Sequence, residues 1–208
     1  PYDTPISDFK LPADQAEVMR QRGFGFDLIL SSPFRRCLQT AAVVAHKLGV
    51  KRIQVLPSIG EKRSAVKRCQ RDVWGEDRLA DGNVTDLDTA EMLEILKEVS
   101  GKTLTAIEET KGDAKEDAVL LAQPGADESD QESLERMQAA FKAACTKYLA
   151  QGERILAVTH GDAVDASVRA FLPGKVVYDC PECGWAAFEV ASQGKSPTLV
   201  AKSRIATI

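Results

Sequence analysis

The chain is poor in histidine, with His46 and His160 its only two among 208 residues. A metal centre built on imidazoles needs more ligands than that. No uninterrupted apolar run approaches the ~20 residues that cross a bilayer, so no membrane span is expected. Aromatic residues make up 6% of the chain, and none falls within its most basic stretch, residues 35–71. Nucleic-acid surfaces interleave basic and aromatic side chains on a basic domain. With a net charge of −4, this chain is not expected to bind nucleic acid. The cysteines are five, an odd number: Cys37, Cys69, Cys145, Cys180 and Cys183. They do not form an even disulfide framework, so reduced thiols and a cytoplasmic setting are expected.

What is present is ordinary for a folded domain. Apolar residues are 44% and charged residues 28%, enough for one sizeable core. The pattern along the chain alternates between strands and helices. Helices are expected at 13–21, 34–48, 88–99, 131–150 and 164–172, where apolar residues recur at three and four. Strands are expected at 26–30, 52–56, 154–159, 185–190 and 198–205. Residues 62–83 read as polar and 101–130 as turn-rich and acidic, and 62–130 as a whole is expected to be an insertion or lid segment. This alternation predicts an α/β fold, a three-layer sandwich around a largely parallel central sheet, with residues 1–208 forming a single domain.

The most informative stretch is Ser32-Pro33-Phe34-Arg35-Arg36-Cys37-Leu38-Gln39-Thr40-Ala41. It begins where a buried strand ends and runs into an amphipathic helix. That places Arg36 at the carboxyl edge of the sheet, beside the positive end of a helix dipole, where α/β proteins hold anions. A cation is disfavoured there unless an anion accompanies it. A guanidinium can grip a phosphate with two parallel hydrogen bonds. Arg35, one position earlier, points to another face. Far downstream, Ile155-Leu156-Ala157-Val158-Thr159-His160-Gly161 is a second apolar strand that delivers a histidine to the same edge.

These two segments resemble the second and last signatures of the histidine phosphatase superfamily, also called phosphoglycerate mutase-like. The opening Pro1–Asp8 resembles the segment that follows the first signature, in the branch containing the phosphatase domains of suppressors of T-cell receptor signalling. The resemblance covers roughly residues 1–60 and 130–190. It implies a cup of histidines and arginines around a phosphoryl group, with Arg36 and His160 as phosphate-binding residues and His160 also catalytic. It implies a carboxylic acid that protonates the leaving oxygen, for which Glu61 is the candidate and Glu76 the competitor. It implies a small phosphorylated substrate or a phosphoprotein, and neither metal nor cofactor, because arginines and histidines neutralise the phosphate.

One signature is not in the sequence. The superfamily's first strand ends in Arg-His-Gly, whose histidine takes the phosphoryl group, and no Arg-His-Gly occurs here. The expectation is therefore a first strand upstream of residue 1, and a gap beside Ile155–Thr159. The function expected is hydrolysis of a phosphomonoester through a phosphohistidine intermediate. The alternative is a catalytically inactive binding or scaffolding subunit on the same fold.

Other features are read as structural. His46 belongs to the helix after Arg36. Gln15-Ala16 resembles a pair in the superfamily's first helix. Cys180-Pro181-Glu182-Cys183 has the spacing of half a zinc site but no partner pair. The ten basic residues in 35–71 (Arg35, Arg36, Lys47, Lys51, Arg52, Lys62, Arg63, Lys67, Arg68 and Arg71) accompany one acid, Glu61. They are either a rim that draws anions or a solvated face.

Overall fold

A computed structural model describes residues 6–62, 94, 95, 97, 106–108, 115–125, 127–190 and 196–208. Three apolar runs build the sheet. Leu28–Ser31 (β1) is fully buried, as a strand covered on both faces must be. Arg52–Val55 (β2) and Ile155–Val158 (β4) flank it, and Ala106–Glu108 (β3) adds an outer edge. All pairings are parallel, in the order β3-β2-β1-β4.

Side chains alternate across β1 and divide the core in two. Ile29, with Ile53 of β2, faces helix α1 (Lys10–Gln21) and helix α2 (Arg35–Leu48). Leu28 and Leu30 face the other layer. That layer comprises α3 (Lys115–Leu120), α4 (Asp130–Ala144) and α5 (Gly161–Phe171). The result is helix, sheet, helix, in agreement with the expected three-layer α/β architecture. Helix α2 ends at Gly49, whose φ of 71° suits a residue without a Cβ. Helix α4 opens on a capping box between Ser129 and Glu132, and its last turn, Cys145–Leu149, widens to π geometry. The one polar side chain at the heart of β2, Gln54, accepts a hydrogen bond from the buried Tyr148 hydroxyl.

Three sequence expectations need correction. Helix α1 begins at Lys10, not Ala13, because Pro12 lies in the first turn, where no amide donor is needed. The Asp8 carboxylate accepts from the Lys10 amide at 2.7 Å. The segment 62–130 is not wholly an insertion: β3 joins the sheet, and Leu120 of α3 is fully buried in the second core. The C-terminal region holds two antiparallel ribbons, not two strands alone. Trp185–Glu189 (β6) pairs with Thr198–Ser203 (β7), and Val177–Asp179 (β5) pairs with Ala206–Thr207 (β8). The helix expected at 88–99 falls mostly outside the described residues, of which Glu94, Ile95 and Lys97 are helical.

The two motif strands, β1 and β4, pair directly, so no gap separates them. The discontinuity lies on the other edge of β4. Among the described residues, no strand bonds that edge, and β6 belongs to a separate ribbon. Between them is a cavity of about 970 Å³, lined by Leu156, Ala157 and Val158 of β4, by Trp185 and Phe188 of β6, and by Met19 of α1. Its lining reaches Arg36, Glu61 and His160 at the carboxyl ends of the strands.

Candidate phosphate site

Three strand ends lead to these residues. β1 ends in Ser31-Ser32-Pro33, so α2 starts beside the sheet edge with Phe34 as its N-cap. Phe34 has no oxygen to offer the first turn, and its ring is buried instead. The ring serves two neighbours. The Arg36 guanidinium lies 4.8 Å from its centroid, and the His160 ring meets it edge-on at 4.8 Å and 80°. β4 ends in Val158-Thr159, and His160 is the N-cap of α5. β2 ends at Val55, and a 3₁₀ turn at Pro57–Ile59 leads through Gly60 to Glu61. A Cβ on Gly60 would sit 2.9 Å from the Pro57 carbonyl oxygen, so the tight approach demands glycine.

The structure thus brings Arg36, Glu61 and His160 into one network. Arg36 Nη2 donates to Glu61 Oε2 and to His160 Nδ1, the latter at 3.0 Å. Glu61 Oε2 is 3.3 Å from His160 Nδ1. A guanidinium only donates, so Nδ1 accepts and the neutral ring carries its proton on Nε2. That proton faces Ser32 Oγ, which lies 2.9 Å from Nε2. Cys37 Sγ lies 3.6 Å from Nε2.

Burial, with the Arg36 cation beside it, pushes His160 down to about 3, so its imidazole is neutral at physiological pH. Glu61 moves the other way. Burial raises its carboxyl above the usual carboxylate range, and the Asp162 charge adds to this while Arg36 opposes it. A carboxyl that is easier to protonate than usual, beside a cation and a neutral imidazole, can donate a proton to a leaving oxygen. The guanidinium can hold equatorial phosphoryl oxygens.

The remaining sequence candidates lie elsewhere. His46 is exposed on α2. Arg36, not Arg35, lines the cavity. Glu76, Arg63, Lys67, Arg68, Arg71 and Cys69 lie outside the described residues. Cys37, Cys145, Cys180 and Cys183 form no disulfide among the described residues. Burial pushes Cys145 up to about 11 and raises Cys180 and Cys183 as well. Gln15 accepts from the Trp185 indole and the Ser203 hydroxyl, tying α1 to the C-terminal ribbon. Among the described residues no group of three or more His, Cys, Asp or Glu could hold a metal ion, and no helix is long and apolar enough to cross a membrane. Sequence reasoning missed the parts Ser32 and Thr159 play in the site, although both lie inside the two motif stretches.

This architecture has known counterparts. Residues 13–122, just over half of the chain, match the histidine phosphatase superfamily (branch 1), and the chain belongs to that superfamily. Among solved structures it resembles the ecdysone phosphate phosphatase of the silkworm Bombyx mori, determined with tungstate. The TM-score is 0.53 at 20% sequence identity, over 82% of this chain and 57% of that one. This chain therefore spans little more than half the length of that relative. No curated protein matches it.

Proposed function

We propose that Arg36, Glu61 and His160 form part of the phosphoryl cup of a phosphomonoester hydrolase acting through a phosphohistidine intermediate. The observation that carries this reading is their convergence, from three different strand ends, into one contact network at the carboxyl edge of a parallel sheet. The substrate would be a small phosphorylated molecule or a phosphoprotein.

The nucleophile comes from a strand that fills the space between β4 and β6. That space is bounded by an edge of β4 that no strand bonds among the described residues and by a separate ribbon, and its walls are largely apolar. A strand running parallel to β4 would satisfy that edge and bring its last residue to the carboxyl ends of the strands, where Arg36 lies. There its imidazole would attack phosphorus in line. His160 and Arg36 would stabilise charge on the equatorial oxygens, and Glu61 would protonate the departing oxygen.

The test uses leaving groups of different quality. In the complete protein, Glu61→Gln should cost ~10²-fold or more on an alkyl phosphate and little on an activated aryl phosphate, because only the poor leaving group needs a proton. Equal losses on both would remove Glu61 from the acid role. A complete protein that retains orthophosphate on the Arg36 site but hydrolyses neither ester would instead be a binding subunit on this fold.

A further inference from the structure

The turn that presents Glu61 is held from both sides, through three consecutive backbone carbonyls. Arg136, on α4, donates through Nη1 to the carbonyls of Ser58 and Gly60. Thr159, the residue before His160, donates through its hydroxyl to the Ile59 carbonyl at 2.6 Å. Glu61 is the next residue after the last of these carbonyls. Lys62, directly beyond it, pairs with Asp130 at the start of α4.

Arg136 is itself fixed with unusual completeness. Its Nε and Nη2 donate to the two oxygens of Glu128, at 2.7 and 2.8 Å, and Nη2 also donates to Ser133 Oγ at 3.2 Å. Together with the two carbonyls, these bonds use all five N–H donors of the guanidinium. The side chains of Arg136 and Glu128 are each only 8% exposed. Removing one partner of a buried pair leaves the other uncompensated, so the arrangement has little freedom to slip. A residue needed only to fill space or neutralise Glu128 would not have to reach two backbone oxygens of the turn that leads into the acid.

We propose that Arg136, backed by Glu128, is a positioning residue that aims Glu61 at the phosphate site. The assignment rests on reading Glu61 as the site's acid. It acts through geometry: the clamped turn holds the Glu61 carboxyl in its half-buried place, facing Arg36 of α2, His160 at the end of β4 and Asp162 of α5.

The experiment follows the Glu61 side-chain carboxyl by carbon-13 NMR across pH, with its resonance assigned by its disappearance in Glu61→Gln. In the unaltered chain this carboxyl should titrate above the ordinary glutamate range. In Arg136→Gln the turn is released, the carboxyl reaches water, and its midpoint should fall back toward that range. Arg136→Lys should restore part of the difference, because an ammonium can still donate to the carbonyls. An unchanged Glu61 midpoint in folded Arg136→Gln, whatever its melting temperature, would overturn the assignment and leave Arg136 a simple structural clamp. If Arg136→Gln does not fold, Glu128→Gln decides. It keeps the guanidinium but removes its anchor, so the same downward movement supports the proposal and an unmoved midpoint refutes it. Failure of the acid reading shows separately, as equal losses on alkyl and aryl phosphates in Glu61→Gln, with the Arg136-dependent titration intact.

Discussion

Arg36→Ala is expected to lower kcat/KM for an aryl phosphate by at least ~10²-fold in the complete protein, the loss that follows removal of one transition-state donor from a preorganised site. The geometry makes this residue hard to replace. Its guanidinium is held over the Phe34 ring, donates to Glu61, and touches the imidazole that would share the same phosphoryl oxygens. Arg36→Lys should recover only a minor part. An ammonium supplies the charge but not the planar fork that binds two oxygens at once. The substitution to alanine also leaves the half-buried Glu61 carboxylate without its cation, and since Arg36 is what opposes its upward shift, Glu61 should then titrate higher still. Steady-state kinetics with orthophosphate as a competitive inhibitor separate the two effects. A weaker inhibition constant tracks the lost guanidinium, and a displaced pH optimum tracks the orphaned acid. A loss of less than about threefold in kcat/KM would place Arg36 outside the chemistry.

The parts of this site that were legible in the sequence are those carried by strong periodicity next to an unusual residue. β1 and β4 are near-continuous apolar runs, and each hands directly to a motif residue at the sheet edge. A long apolar stripe marks α2 and α4 in the same way. What escaped is short or held by distant contacts. β3 and β5 have three residues each and β8 has two, too few to show alternation. Helix α3 reads Lys-Glu-Asp-Ala-Val-Leu inside an acidic stretch, and it is recognisable only because Leu120 is buried against the second core. Arg136 escaped for a related reason. Its partners at Ser58 and Gly60 lie 78 and 76 residues away, and nothing local distinguishes it from other arginines on an amphipathic helix. Local pattern identified the residues proposed to meet phosphate, and tertiary contact alone identified the one proposed to aim the acid.

The pairing of a depressed histidine with a raised glutamate has a consequence for stability that can be measured without substrate. His160 is held at about 3 by burial and by Arg36, against an ordinary histidine value of 6.5. The folded form keeps the ring neutral where the unfolded chain would protonate it. Above about pH 6.5 both forms are neutral and the full stability is present. As pH falls from there toward 3, only the unfolded chain takes the proton, and stability is lost, by an amount on the order of a few kcal/mol across the whole window. Glu61 has the opposite sign. Its folded value lies above the unfolded one, so it favours the folded state at low pH and loses that contribution as pH rises through its own folded value. It can offset only part of the loss, and only in the acidic half of the range. Urea-unfolding midpoints between about pH 7 and pH 4 should therefore decline steeply in the unaltered chain, less in His160→Gln, and more in Glu61→Gln. If His160→Gln and the unaltered chain show the same decline, the imidazole is not the buried neutral group that the Arg36 contact requires, and the acceptor role of its Nδ1 falls with it.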